Sequence, residues 1–174
     1  AMGNGWPISC IVGKSEIMNI FEDAFFSFTF AGDIASVSAA LKVIEVLEEG
    51  SAYANMKAAG KSIYDGANVM AKACGLQDFF KLNGHHNWVI FDFIDEKGES
   101  DPATRALWVQ EVTRRGILLL TTFNISASID QHCVNEILKA FAHAFKRIKY
   151  CKEQNINPQE FLDGPIPVPA FKAR

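Results

Sequence analysis

Thr29 stands four residues ahead of Asp33, and Asp33 opens the longest helical pattern in the chain. An aspartate there reads as an N-cap, its carboxylate accepting main-chain N–H groups of the first turn. The same place offers a second chemistry, because a hydroxyl and backbone N–H groups just before a helix N-terminus can receive a phosphate. The sequence leaves both readings open. His85-His86 could suggest a metal pair, but adjacent strand residues point to opposite faces and no third ligand is suitably spaced. His132 and His143 lie eleven positions apart on one helical pattern, outside H-x-x-x-H spacing, and read as surface or capping residues. Ser9, Ser27 and Ser36 lack a G-x-S-x-G context, which argues against a serine hydrolase. Gly3-Asn4-Gly5 is not G-x-G-x-x-G and reads as a turn.

The elements that would position these residues can be drawn from periodicity. Residues 8–12, ISCIV, form a β-branched apolar run closed by Gly13 and predict a buried strand. Ser15 reads as the N-cap of a short helix carrying Ile17, Ile20 and Phe21. Phe25 to Asp33 is extended or looped, with Gly32 as punctuation. A helix then runs from Asp33 to about Glu49, with Ile34, Val37, Leu41, Ile44 and Leu47 on one stripe, and Gly50 ends it. A second helix spans roughly residues 51–73, a turn is expected at Asn83-Gly84, and Asn87 to Ile94 alternates as a half-exposed strand. Asp101 caps a helix with Pro102 in its first turn, ending near Arg115-Gly116. Ile117 to Leu120 predicts a short strand. Asp130 caps the last long helix, with Val134, Ile137, Phe141, Phe145 and Ile148 on its apolar face, and the proline-rich tail from Leu162 cannot be helical.

The fold class that follows is α/β, with a small layer in the second half that places helices on one face of a short sheet. The first half supplies one strand and one long helix, which need a sheet from elsewhere. At 174 residues, with 49% hydrophobic and 21% charged residues and a formal net charge of -3, the chain has no basic field for nucleic acid. No apolar run is long enough to cross a membrane, and no basic-then-apolar leader opens the chain, so a cytoplasmic location is expected. Cys10, Cys74, Cys133 and Cys151 form no C-x-x-C pair; most of them read as buried or half-buried thiols rather than a zinc site or disulfide framework. Phe21, Phe25, Phe26, Phe28 and Phe30 cluster as core or as a subunit interface.

The order of motifs resembles the class III aminotransferases, vitamin B6 enzymes of fold type I, and within them the glutamate-1-semialdehyde aminomutase-like branch. Ala1 to Met18 is similar to a family stretch of the form AMGNG-(aromatic)-PIS-x-(I/L)-VG-(K/R)-x-E-I-M. Phe25 to Asp33 resembles FFS-x-TF-(G/A)-G-(D/E), and Gly84 to Trp88 a G-H-x-x-W strand. Arg115 to Ser126 resembles an RGI-L stretch followed by T-x-NIS, and Pro165 to Arg174 a closing tail with F-K-x-R.

The resemblance implies that the chain is the C-terminal part of such an enzyme. Residues 1–45 would end the large cofactor-binding domain, with one leftover strand and helices, and begin the connecting helix; residues 46–174 would form the small α/β domain. It implies pyridoxal 5'-phosphate as cofactor, with the Schiff-base lysine standing immediately before Ala1. Thr29, with the backbone of Phe28 beside it, would bind the phosphate of the cofactor held by the neighbouring subunit of a homodimer. Asn124 and Ser126 match a segment near the substrate pocket, where Phe123, Ala127 and Ile129 depart from the family pattern. The implied substrates are a small-molecule amine and carbonyl, exchanged by a transaminase or moved internally by an aminomutase, an isomerase. Without that lysine this chain alone should not transaminate. A second reading is a non-catalytic, dimerising interaction domain derived from such an enzyme; it predicts a stable dimer that takes no colour from pyridoxal phosphate, where an enzyme fragment would aggregate through exposed apolar faces.

Overall fold

Phe80, Phe91 and Phe93 are buried while Lys81 and Asn83 beside them are exposed, so the strands that carry them have one wet face and one dry face. The computed structural model describes residues 2–25, 27–120 and 122–168. Strands β1 (Phe80–His85), β2 (Trp88–Phe93) and β3 (Thr122–Asn124) form an antiparallel sheet in the order β1-β2-β3. Its register pairs Phe80 with Phe93, Leu82 with Phe91, His85 with Trp88, and Trp88 with Asn124.

The chain divides into two compact units, Ala1–Tyr53 and Ala54–Arg174. The second unit holds the sheet, most of α3 (Ser51–Ala73), α4 (Pro102–Thr113) and α5 (Gln131–Glu153). Trp108 of α4 sits at its centre, 0% exposed, with ring centroids of Phe91 and Phe141 each 4.9 Å away. Phe145 of α5 meets Phe80 edge-on at 4.9 Å. Such offset and edge contacts add to the area that the rings bury. Helix α3 enters this core through small residues, Ala59, Gly60, Ala67 and Ala71, around Ile63. A Cβ on Gly60 would run into the main-chain carbonyl of His86, so glycine lets α3 lie against the β1-β2 turn.

The first unit contains α1 (Ser15–Met18), a 3-10 turn at Asn19–Glu22 and α2 (Ile34–Glu48). The stripe read from the sequence is there, but Ile34, Val37, Leu41, Ile44 and Leu47 are all exposed. Phe21, Phe25, Phe28 and Phe30 of the phenylalanine cluster are exposed as well, Phe25 by 97% and Phe28 by 65%; Phe26 lies outside the described residues.

Four expectations are corrected. Residues 8–12 form no strand, and Val12 is 83% exposed; an isolated strand leaves its N–H and C=O groups unpaired, and the described residues of this unit offer none to pair with. Ile117 to Leu120 is not a ladder strand either. Burial alternates there, with Leu119 buried between exposed Leu118 and Leu120, but pairing to β2 begins only at Thr122. Gly84 lies inside β1, at φ +85°, where a side chain would collide with the Trp88 carbonyl; the chain turns instead at His86-Asn87. Lys14, not Ser15, occupies the cap position of α1, and it makes no side-chain capping bond. The cysteines follow the expectation for most of them: Cys151 is buried, Cys74 and Cys133 are half-buried, and Cys10 is exposed.

Candidate functional site

Thr29 sits in a turn closed by two main-chain bonds, Ala31 N–H to Phe28 C=O at 3.0 Å and Asp33 N–H to Phe30 C=O at 3.2 Å. This turn delivers the chain into α2. Asp33 caps the helix: its carboxylate accepts the Ser36 N–H at 3.0 Å and also the Ser36 hydroxyl. Those bonds hold the Asp33 carboxyl below its ordinary range, the Ser36 hydroxyl first and its backbone N–H second. The helix end is therefore closed by its own aspartate. The Thr29 hydroxyl is exposed and has no hydrogen-bond partner among the described residues. A hydroxyl on a tight turn fits one edge of a phosphate group, while most of the donors a phosphate needs must come from other residues.

Asn124 and Ser126 lie in the second unit, at the end of β3. Asn124 is paired across the sheet with Trp88, and Trp88 with His85, so these three side chains share one row on the open face. All three are exposed, Trp88 by 55%. Ser126 Oγ lies 2.9 Å from Ser128 Oγ. The segment is tied to the β1-β2 turn by the Ile125 N–H, which donates to the Asn87 carbonyl at 3.0 Å. Tyr64 of α3 packs edge-on against His86, with ring centroids 5.3 Å apart. The structure thus brings Asn124 and Ser126 together on an anchored edge, and holds Phe28 and Thr29 together in a turn of the other unit.

Sequence reading missed Trp88 as a neighbour of Asn124, because alternation says which face a residue takes and not which residue stands opposite. It also missed the buried Glu111, which accepts from Arg114 at 2.8 Å and lies 3.1 Å from His143 Nε2. His143 is accordingly a partner of a buried carboxylate and not only a surface residue, while His132 is exposed. Among the described residues no three histidine, cysteine or acidic side chains stand close enough to hold a metal ion. No described helix is long and apolar enough to cross a membrane.

A sequence model described as aminotransferase class-III matches residues 1–145. The chain is 23% identical over 169 residues to an ornithine aminotransferase of Emericella nidulans, covering 90% of this chain and 35% of that protein. It is 27% identical over 124 residues to the 5-aminovalerate aminotransferase DavT of Pseudomonas aeruginosa, covering 70% of this chain and 28% of that one. Among solved structures, the FumI protein of a Sphingopyxis species, in its PLP internal aldimine form, superposes with a TM-score of 0.76 at 21% identity, over 91% of this chain and 37% of that one. An omega-transaminase from Sphaerobacter thermophilus gives a TM-score of 0.72 at 16% identity, over 83% and 36%. The chain thus spans about a third of the length of the relatives it matches. With the family model matching well over half of it, from the Thr29 turn through the Asn124 edge, the chain belongs to the class III aminotransferases.

Proposed function

We propose that this chain is the C-terminal portion of a pyridoxal-phosphate-dependent enzyme that moves an amino group between a small amine and a carbonyl compound. The observation that carries the reading is the family match over residues 1–145. Two features of the chain support it. The Thr29 turn offers an exposed hydroxyl suited to one edge of a phosphate, and the stripe on α2 leaves a large apolar surface uncovered, as a surface meant for burial against another part of an assembly would. The assembly we infer is a homodimer in which Thr29, flanked by the Phe28 backbone, donates to the phosphate of the cofactor in the neighbouring subunit.

Pyridoxal phosphate, when bound, supplies the electron sink for the chemistry. The roles left to this chain are to bind and to orient. The Thr29 hydroxyl would hold one phosphate oxygen, and Asn124 and Ser126 would contact the substrate from the edge of the sheet, with Trp88 as the apolar neighbour of Asn124. The boundary between the large and small domains is placed at about residues 45–46, inside α2. Within the family we infer, from the order of motifs along the chain, the glutamate-1-semialdehyde aminomutase-like branch. The chain by itself is not expected to transaminate.

The test uses the whole enzyme from which this portion comes, incubated with pyridoxal phosphate and reduced with borohydride before peptide mapping. A pyridoxyl group on a lysine directly preceding Ala1 is the expected result, and Thr29→Ala should weaken cofactor retention by about tenfold or more, the loss of one hydrogen bond to a charged group. A stable dimer that takes up no cofactor would instead favour the non-catalytic interaction domain.

A further inference from the structure

The second unit carries a groove of about 600 Å³ between α4 and the segment from Leu162 to Val168. Its residues are other than Phe28, Thr29, Asn124 and Ser126, and its wall is built. Gln110 uses its side-chain amide as a strand would use its backbone: Nε2 donates to the Phe161 carbonyl at 2.8 Å and Oε1 accepts from the Asp163 N–H at 2.8 Å. Arg114 donates from one nitrogen, Nη2, to both carboxylate oxygens of Asp163 at 2.6 Å. The Arg147 guanidinium lies 4.9 Å over the Phe161 ring. These contacts fix Phe161 and Asp163 and, between them, Leu162 on one side of the groove.

The lining is apolar with one charge. Ala106, Val109, Leu120 and Leu162 line it together with three prolines and Val168, and Arg105 is the lone charged residue among the lining groups. The Arg105 side chain is 30% exposed and donates through Nη1 to Asp92 at 3.1 Å. A guanidinium has five N–H donors in a rigid fork, and among the described residues the others have no protein partner. The ion pair fixes the plane of the group and leaves donors for a second carboxylate. A cleft of this size and polarity lies in the range that holds small ligands, roughly 300–1,000 Å³. An amine would find no anion among the lining residues, and a phosphate dianion would find a single, already paired cation.

We propose that this groove binds a small monocarboxylate with an apolar body, the carboxylate on Arg105 and the body along Val109, Leu120 and Leu162. The site does not depend on the aminotransferase reading. The probe is phenylbutyrate, titrated into the intact protein and followed through the methyl resonances of Ala106, Val109 and Leu120. Those resonances should shift and saturate, and phenylbutanol and phenylbutylamine should bind about tenfold more weakly or not at all. Arg105→Gln should weaken phenylbutyrate by about tenfold. Ala106→Phe, which fills the groove and keeps the Arg105–Asp92 pair, should abolish binding while the near-ultraviolet signal of Trp108 is unchanged. Three results would overturn the proposal: equal binding of phenylbutanol, unchanged affinity in Arg105→Gln, or binding that occurs only after residues 169–174 are removed, which would make the chain's own end the occupant.

Discussion

The two units use the same residue types to opposite ends. In the second, Phe80, Phe91, Phe93, Phe141 and Phe145 surround Trp108 and are all buried; in the first, Phe25, Phe28 and Phe30 are exposed, as is the full stripe of α2. Both regions have the helical and apolar patterning of folded protein. The difference lies in what faces the pattern. In the second unit the sheet, α3, α4 and α5 close on one another, whereas in the first no described strand accompanies the long helix. Hydrophobic periodicity specifies an element and its sticky face, and burial needs a complementary surface.

The contrast can be sharpened by substitution. Trp108→Ala should cost the second unit about 3–5 kcal/mol by opening a large cavity, read as a lowered thermal midpoint. Trp108→Phe should cost much less, since the indole N–H has no partner among the described residues and its removal relieves an unpaired donor. Gly60→Ala should destabilise by about 1–3 kcal/mol, because the new methyl group meets the rigid His86 carbonyl; the chemical shifts of the β1-β2 turn should move with it.

Acid separates the units by a subtler route. The carboxyls of Asp33 and Asp130 are both held below their ordinary range, Asp33 by the Ser36 hydroxyl and backbone N–H, Asp130 by the Cys133 backbone N–H. A lowered carboxyl stabilises the fold above its unfolded pKa, and that contribution is lost as pH falls through the folded value. Asp130→Ala should therefore flatten the acid-side decline in the melting point of the second unit, and Asp33→Ala should leave that decline unchanged. The smallest effect is expected on the open stripe: Val37→Glu with Leu41→Glu should shift the melting of the second unit by less than about 0.5 kcal/mol while reducing self-association.

Much of this was legible in the sequence, and the limits are physical. The long helices were readable because their signals are local. Asp33, Asp101 and Asp130 each cap as their positions imply, accepting from Ser36, Thr104 and Cys133, and the apolar spacing of α5 is the face it buries. The strands were readable only where a partner strand lies in the same unit. ISCIV and the Ile117 to Leu120 run have strand composition and no ladder, since a strand is a relation between two segments. Thr29 was marked by its place before a helix N-terminus and by resemblance to a family, Asn124 by the resemblance alone. The cross-strand row through His85, Trp88 and Asn124 was not, because register is set by pairing that alternation does not reveal. Nothing local in the sequence marks Glu111, and only the packing of α4 on α5 encloses it with Arg114 and His143.

The central claim is that the second unit carries its own core and the first presents an apolar face that awaits a partner. Amide hydrogen exchange of this chain tests it most directly. Amides of Phe91, Trp108, Phe141 and Phe145 should be protected to the level of global unfolding, while those of Ile34–Glu48 exchange orders of magnitude faster until a partner covers them. Equal protection of α2 and α5 in the isolated monomeric chain would contradict the account.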